Sequence, residues 1–441
     1  MKADICFIGG GLNYAGAVIA SKASLKTVLI EKDMNMLGGT CLHKGCIPSK
    51  TFLHFASVLR ESGREVFSKS AVLDMKKLLD KKNLIVEKAL KAITAQCKGV
   101  NLIEAEGKVV YRNRVVAGDM EIEAKYVIIG TGSAPFVPEG IEYDGEHIIT
   151  SDEVLNMESL PEEIFIYGNG AIGLEMASFF SSVGVKTTLV YRREKLFSKA
   201  HPLINASLEE MMKNSGVILK PSSSVKRAKF EKEKGKVFVE FEEGGVMTQK
   251  LLVATGRRAV TSAVSTEEIK LGAKGIEVDE IFETSLKNHF AIGDCNGKLQ
   301  LAHAARAEVL NVVNRILGKN PSVLDLSKTV KFVHTLPMSY ATVGFTKAEL
   351  ERTGSEYKES VVPLKSFTYP AIHESEEGFV ILYADREGFV LGGEILSKDA
   401  EELIGIVSMA LAGEMDAKLA RKTILAHPTF SESVEKGFYR L

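Results

Sequence analysis

Apolar strand-like runs alternate with helix-length segments over most of the chain, and a C-terminal stretch of different texture follows. This predicts an α/β protein of several domains. Three observations carry the prediction. A strand, glycine turn, helix, strand and acid follow one another from Ile5 to Glu31; a second strand-to-helix glycine turn stands at 168–173; and no such turn recurs beyond about Lys331.

Ile5-Cys6-Phe7-Ile8 is a short apolar run that ends in Gly9-Gly10-Gly11, and Gly16, Ala17, Ile19 and Ala20 suit the small-residue helix that follows. The next run, Thr27-Val28-Leu29-Ile30, closes on Glu31. Such a βαβ unit binds a dinucleotide: glycines let backbone N–H groups approach a pyrophosphate at the helix N-terminus, and the acid holds ribose hydroxyls. The third glycine of the usual pattern is due at position 14, where Tyr14 stands, with Gly16 the nearest candidate. Two outcomes are open: a turn longer by two residues, or a helix held farther from the sheet by Tyr14.

The stretch from Gly38 to Lys50 holds Cys41 and Cys46, two of the five cysteines in the chain. Their spacing does not fit the two-residue gap of a zinc knuckle or a thioredoxin-type turn, and no metal-ligand pattern is expected. On an ideal helix their Cα atoms would stand ~8–9 Å apart, whereas a disulfide needs roughly 4.4–6.8 Å. A disulfide here therefore requires an irregular turn. Gly38, Gly39 and Gly45 supply the freedom, and Pro48 suits a helix start. On spacing alone, two buried structural cysteines are an equal alternative.

A largely helical stretch from about Ala71 to Cys97 has apolar residues at helical spacing and reads as a packing helix. Strands rich in Val and Ile lead to Tyr126-Val127-Ile128-Ile129 and then Gly130-Thr131-Gly132-Ser133, with Pro135 and Pro138 marking an exit into a second domain. There Ile164-Phe165-Ile166-Tyr167 runs into a complete G-x-G-x-x-G, Gly168 through Gly170 to Gly173, followed by Glu175. Two such Rossmann-like units imply two dinucleotides, the arrangement needed to pass a hydride from a nicotinamide to a flavin. The following strand ends in Tyr191-Arg192-Arg193. An acid at that point suits NAD, whereas room and positive charge suit the 2′-phosphate of NADP. A solvated basic strand end is the alternative.

At 441 residues the chain exceeds one ordinary domain, and 45% hydrophobic with 26% charged residues is a globular composition. Lys and Arg total 56 against 57 Asp and Glu, so no basic excess points to nucleic acid. No apolar run is long enough to span a bilayer and the chain opens on a strand, so a cytoplasmic location is expected. Too few cysteines are present for a secreted disulfide scaffold, and Cys6, Cys97 and Cys295 are expected to be core or incidental thiols.

The run Gly-Gly-Thr-Cys-Leu-x-x-Gly-Cys-Ile-Pro-Ser-Lys resembles the redox-disulfide signature of the flavin-dependent pyridine-nucleotide disulfide oxidoreductases, the family of dihydrolipoamide dehydrogenase and glutathione reductase. The resemblance covers nearly the whole chain. His43 and Lys44 depart from it, standing where the family has Asn and a small apolar residue. It implies that Cys46 sits against FAD while Cys41 attacks the substrate disulfide. His427-Pro428-Thr429-Phe430-Ser431-Glu432 matches the family's His-Pro-Thr-x-x-Glu, so Glu432 is expected to orient His427, which reaches the cysteine pair of the other subunit of a homodimer. Lys50 and Glu175 are expected to pair near the flavin ring; an ordinary first-turn acid favoured by the helix dipole is the alternative for Glu175.

The resemblance further implies FAD contacts from Gly9, Gly11, Glu31, Gly39, Thr40, Lys50 and the Thr131-Gly132-Ser133 segment. Asp294 would bind the ribitol chain, and the backbone at Ala302 would touch the isoalloxazine, with His303 a packing residue. NAD(P) would lie on Gly168, Gly170, Gly173 and Glu175, with Arg192 and Arg193 favouring NADP(H), and Gly256 at the exit from that domain. Gly173 and Ser198 point toward NAD(H), since NADP-binding relatives usually have a further arginine near 198. The expected division is a FAD-binding domain over 1–142, an NAD(P)-binding domain over 143–260, a return to the first domain over 261–328 and an interface domain of strands and two helices over 329–441. The expected activity is electron transfer between NAD(P)(H) and a lipoyl-type or other small dithiol/disulfide. The alternatives are an NADPH-dependent reductase of another low-molecular-weight disulfide and a flavin-binding protein without turnover; the latter would not need Cys41, Cys46 and His427, all of which are present.

Overall fold

A computed structural model describes residues 1–441. The chain forms two compact units, one of Met1–Thr51, Lys76–Phe136 and Gly256–Leu326, the other of Phe52–Met75, Val137–Thr255 and Ser327–Leu441.

The first unit opens with β1 (Lys2–Ile8), α1 (Asn13–Lys22) and β2 (Thr27–Glu31). A short α2 (Gly39–His43) precedes α3 (Cys46–Ser62), the unit boundary falling inside α3, and α4 (Met75–Gln96) follows. Strands β3 (Asn101–Glu104), β4 (Gly107–Tyr111), β5 (Arg114–Ala117) and β6 (Met120–Ile129) complete a sheet of order β3-β2-β1-β6-β5-β4, and β7 (Ser133–Pro135) leaves it. Parallel strands covered on both faces need continuous apolar runs, and Ile5 to Ile8 and Val127 to Ile129 are buried without a break. Because β1 is parallel to both β2 and β6, their C-terminal ends gather Gly9, Glu31 and Gly130 at one edge. This is the crevice where open α/β sheets bind ligands.

In the second unit β8 (Ile148–Ile149) leads to α5 (Ser151–Val154), capped by the Thr150/Glu153 box, and then to β9 (Glu163–Tyr167), α6 (Ala171–Ser182), β10 (Lys186–Val190), α7 (Pro202–Asn214) and β11 (Val217–Lys220). A meander of β12 (Arg227–Glu231), β13 (Lys236–Phe241) and β14 (Gly244–Thr248) precedes β15 (Lys250–Val253), which enters a parallel sheet of order β11-β10-β9-β15-β8. The predicted second βαβ unit is thus present.

The chain returns to the first unit with β16 (Arg257–Ala259), which pairs with β7, the hairpin of β17 (Leu271–Gly272) and β18 (Gly275–Ile276), β19 (His289–Ala291) alongside β6, and α8 (Ala302–Ile316). It closes in the second unit on β20 (Lys331–Val333), β21 (Ser339–Gly344), α9 (Lys347–Thr353), β22 (Lys358–Pro363), α10 (Thr368–Ile372), β23 (Phe379–Ala384), β24 (Val390–Ser397), α11 (Ala400–Ala412), α12 (Ala417–Ala420) and α13 (Ser431–Tyr439). The strands form an antiparallel sheet of order β20-β21-β24-β23-β22. Two helices were expected here; α11 and α13 are the long ones, and three short helices join them. Helices of four to seven residues leave little periodicity to detect.

Candidate active site

The first glycine turn is crowded from below. A Cβ added to Gly9, whose φ is +93°, would lie 2.5 Å from the Gly130 carbonyl oxygen. Glu31 faces the same turn and accepts the Gly10 N–H at 2.6 Å. Of the two outcomes open at Tyr14, a turn longer by two residues is not what forms, since α1 begins at Asn13. Tyr14 lies half-buried beside the core, and the close approach to β1 and α8 falls at Gly16, where a Cβ would meet Phe7, Val309 and Val313. Asn13, fully buried, donates to the Ile8 carbonyl at 3.1 Å and fills the space under Gly130.

The cysteine loop is the irregular turn that the spacing requires. Gly38 and Gly39 take φ of +98° and +68°, α2 ends at His43, and α3 starts at Cys46, with Pro48 in its first turn. Gly45 sits so close to Thr40 that a Cβ would be 3.0 Å from its carbonyl oxygen. Gly39 lies against the phosphate-type turn itself, its virtual Cβ 2.8 Å from the Gly11 Cα, so Thr40 and Cys41 are held beside that turn. Cys41 is half-buried, Cys46 exposed, and both are thiols. The Cys41 thiol is pushed well above the ordinary range, first by its hydrogen bond with the Cys46 side chain and then by burial, while the charge of Lys50 acts the other way. Cys46 stands at the N-terminus of α3, where the helix dipole favours a negative charge. His43 does not point its proton at the pair: its Nε2 contacts the Leu37 carbonyl at 2.9 Å. Cys6, Cys97 and Cys295 are buried, as expected, and burial pushes Cys6 up to about 12 and Cys295 to about 11.

Beside the same crevice, Ser133 Oγ donates to Asp294 at 2.5 Å, and Arg257 binds Ser133 Oγ at 2.8 Å and its carbonyl at 2.7 Å. Thr131 Oγ1 donates to the Val260 carbonyl at 2.5 Å, and an added Cβ at Gly132 or Gly256 meets nothing within 4 Å. Open space therefore borders the segment expected to close over the flavin dinucleotide. Glu308 on α8 was not singled out from sequence. It is fully buried, accepts Gly293 N–H at 2.7 Å and Asn296 Nδ2 at 2.9 Å, and burial raises its carboxyl to about 7. An acid at helical spacing among Ala304, Ala305, Val309 and Val312 was its only signal. Ala302 begins α8 half-buried. The expectation that His303 packs is not met: it is exposed, because the buried face of α8 starts at Ala304 and Ala305.

In the second unit the fingerprint is sterically obligatory. An added Cβ at Gly173 would collide with the Gly168 carbonyl, and one at Gly168 with the Ala254 carbonyl. At Gly170, the N-cap of α6, a Cβ meets nothing within 4 Å, which leaves a helix N-terminus open to a phosphate. Glu175 is buried in α6 and accepts the His334 N–H at 3.2 Å. Tyr191 turns inward, only 2% exposed, its hydroxyl pushed up to about 12 by burial and then by the Glu209 charge. Arg192 and Arg193 are exposed, and Arg193 Nη1 donates to Ser198 Oγ at 2.6 Å.

His427 and Glu432 meet as expected, with His427 Nδ1 to Glu432 Oε1 at 2.8 Å and the Thr429 N–H on Glu432 Oε2 at 3.0 Å. Those two contacts, His427 first, hold the Glu432 carboxyl below its ordinary value. A carboxylate only accepts, so Nδ1 carries the proton and Nε2 of the neutral ring is free to act as a base. The imidazole is 80% exposed.

The family described as pyridine nucleotide-disulphide oxidoreductase matches residues 3–308, and its dimerisation domain matches 329–437. The chain is 31% identical to dihydrolipoyl dehydrogenase of Bacillus subtilis, over 98% of this chain and 96% of that one, and 32% identical to dihydrolipoyl dehydrogenase 2 of Haloarcula marismortui, over 98% and 95%. Among solved structures, LpdA of Mycobacterium tuberculosis superposes with a TM-score of 0.92 at 24% identity, covering 100% of this chain and 99% of that one. The HOCl-induced flavoprotein disulfide reductase RclA of Escherichia coli gives 0.90 at 25%, covering 99% of each. The crowded glycine turns, the cysteine loop and the His-Glu pair thus lie within matches that run almost end to end, and the chain belongs to the pyridine nucleotide-disulphide oxidoreductases.

Proposed function

We propose that this enzyme exchanges electrons between a nicotinamide coenzyme and a lipoyl-type dithiol. The observation that carries the reading is the hydrogen-bonded Cys41/Cys46 pair, held beside the first glycine turn by the Gly39–Gly11 contact. Gly9, Gly11, Glu31, Thr40, Thr131, Ser133 and Asp294 would hold FAD, with Lys50 and Glu175 near its ring; Gly168, Gly170 and Gly173 would hold the nicotinamide dinucleotide. When bound, the flavin relays two electrons between the nicotinamide and the cysteine pair.

The chain's own residues do the sulfur chemistry. Cys41 needs its proton removed, and His427 Nε2 of a second subunit supplies the base, oriented by Glu432. To reduce a disulfide, the Cys41 thiolate attacks one substrate sulfur and expels the other, which takes the proton from His427. The Cys46 thiolate then attacks the Cys41 sulfur, closes the Cys41–Cys46 disulfide and releases the second substrate thiolate. Dithiol oxidation is the reverse. The homodimer this needs is supported by the match of residues 329–437 to the family's dimerisation domain. No helix is long and apolar enough to cross a membrane. A reducing cytoplasm suits five free thiols. The domain division at 142/143, 260/261 and 328/329 belongs to this reading.

A second reading, reduction of another small disulfide with NADPH, is favoured by one observation: a buried tyrosine and two exposed arginines stand at the end of β10 in place of an acid. Turnover of dihydrolipoamide, lipoamide and a panel of low-molecular-weight disulfides with each coenzyme separates the two. Dihydrolipoamide oxidised far faster than any other thiol supports the first reading; no lipoyl turnover with brisk NADPH-dependent reduction of another disulfide replaces it.

A further inference from the structure

The segment from Tyr191 to His201 leaves the end of β10 carrying Arg192 and Arg193 and does not return directly to its own nucleotide-binding layer. At its near end it is tied to the fingerprint: Asn169, between Gly168 and Gly170, donates Nδ2 to the Leu196 carbonyl at 2.8 Å. At its far end it is tied by three separate contacts to the C-terminal part, two on the sheet and one on α9. The Phe197 ring lies 5.1 Å from the Tyr340 ring, Lys199 Nζ is 3.1 Å from Glu349, and the His201 N–H donates to Glu394 Oε2 at 2.9 Å.

Glu394 is the anchor. It is fully buried on β24 and takes Tyr340 OH at 2.8 Å on Oε2, and Tyr383 OH at 2.7 Å and the Lys347 N–H at 3.4 Å on Oε1. Burial first, then the Glu394 charge, holds both phenols far above their ordinary range, so they remain donors. Four donors on one buried carboxylate form a satisfied network with little freedom to shift. His201 extends it: its Nδ1 accepts the Leu203 N–H at 3.2 Å to cap α7, and its Nε2 stands 3.5 Å from Glu359, which pairs with Lys347 at 2.9 Å.

We propose that Glu394 is a positioning residue that sets discrimination between the two nicotinamide coenzymes by strapping the 191–201 loop to the C-terminal sheet. The inference rests on the assignment of Gly168–Gly173 and Arg192 to the nicotinamide dinucleotide. Discrimination resides in where the loop presents its arginines to the ribose 2′ position, and that placement is fixed at the strap. Loosening the strap widens the arginine positions and costs NADPH, whose 2′-phosphate they would meet, more than NADH.

The test measures Kd of NADH and NADPH on flavin-loaded protein, with kcat at saturating coenzyme, for wild type, Glu394→Gln, Phe197→Leu and Lys199→Ala. Glutamine keeps the size of Glu394 but accepts on one atom only, so two donors lose their partner. The expected result is about a tenfold weaker Kd for NADPH in Glu394→Gln and about threefold in Phe197→Leu. The ratio of Kd for NADPH to that for NADH rises while kcat and FAD content stay near wild type. A general loss of structure would weaken both coenzymes together and shed flavin, leaving the ratio unmoved. Where Glu394→Gln fails to fold, the two surface-side variants carry the test alone. A wild type that binds one coenzyme better, with variants of unchanged ratio, overturns the strap alone. A wild type that binds neither coenzyme overturns the nicotinamide assignment and the strap with it.

Discussion

Replacing Glu432 by alanine removes two contacts, the 2.8 Å hydrogen bond from His427 Nδ1 and the 3.0 Å bond from the Thr429 N–H. A charge-assisted hydrogen bond contributes roughly 1.5–3 kcal/mol. The imidazole is 80% exposed, so solvent screening reduces the value to about 1–1.5 kcal/mol. That converts to about a tenfold lower kcat/KM for the dithiol. His427→Ala removes the base itself and should cost about 10²–10⁴-fold. The ordering of the two is the sharper expectation. The pH behaviour follows from the Glu432 carboxyl being held below its ordinary value. Stabilisation from a depressed carboxyl is present above the unfolded value and is lost only as pH falls through the lower folded one. The Glu432 carboxylate that orients His427 is therefore kept across the neutral range and is lost only at acid pH, so the ratio of wild-type to Glu432→Ala activity stays constant through neutrality. Steady-state kcat/KM from about pH 5 to 9, with flavin content measured on the same samples, checks this. A Glu432→Ala enzyme with full flavin and wild-type kcat/KM would refute the orienting role, and one as slow as His427→Ala would refute the division of labour.

Partial reduction should produce a long-wavelength band from the Cys46 thiolate against oxidised flavin; Cys46→Ser should abolish it and Cys41→Ser should keep it, as recorded by absorbance during titration with dithionite. Mixing inactive Cys41→Ser with inactive His427→Ala subunits should restore activity by forming one intact composite site, and verified exchange without recovery would place each site within one chain. Gly39→Ala puts a methyl 2.8 Å from the Gly11 Cα at a φ of +68°, so purified protein should retain less than about a tenth of the wild-type flavin, read from the visible spectrum. NADP(H) should serve at least as well as NAD(H), and Arg192→Ala should cut kcat/KM for NADPH about tenfold with little change for NADH; a wild type that strongly prefers NADH, or equal losses for both, would mark the arginines as solvated surface.

Both glycine turns, the cysteine loop and the His-Glu pair were legible because each is a local pattern whose chemistry is fixed by neighbours a few residues apart. Tyr14 was not, since the contact that matters is made at Gly16 by Val309 and Val313, nearly three hundred residues away in sequence, and no local pattern records it. His303 was misjudged for the same reason: the burial phase of α8 is set by what packs on it. Glu394 left no trace at all. It sits in an apolar strand as a lone acid, and only the fold brings Tyr340, Tyr383 and His201 to it.

The distribution of thiols has a consequence for how the molecule meets oxidants. Cys6 and Cys295 are fully enclosed and, with Cys97, are held protonated by burial, while Cys41 and Cys46 neighbour each other and can close a ring. Among the thiols, a peroxide that reaches the folded protein therefore meets this pair, and a sulfenic acid formed on one is resolved by the other before it climbs further. The product of the injury is the same disulfide that turnover reduces, so each catalytic cycle doubles as repair.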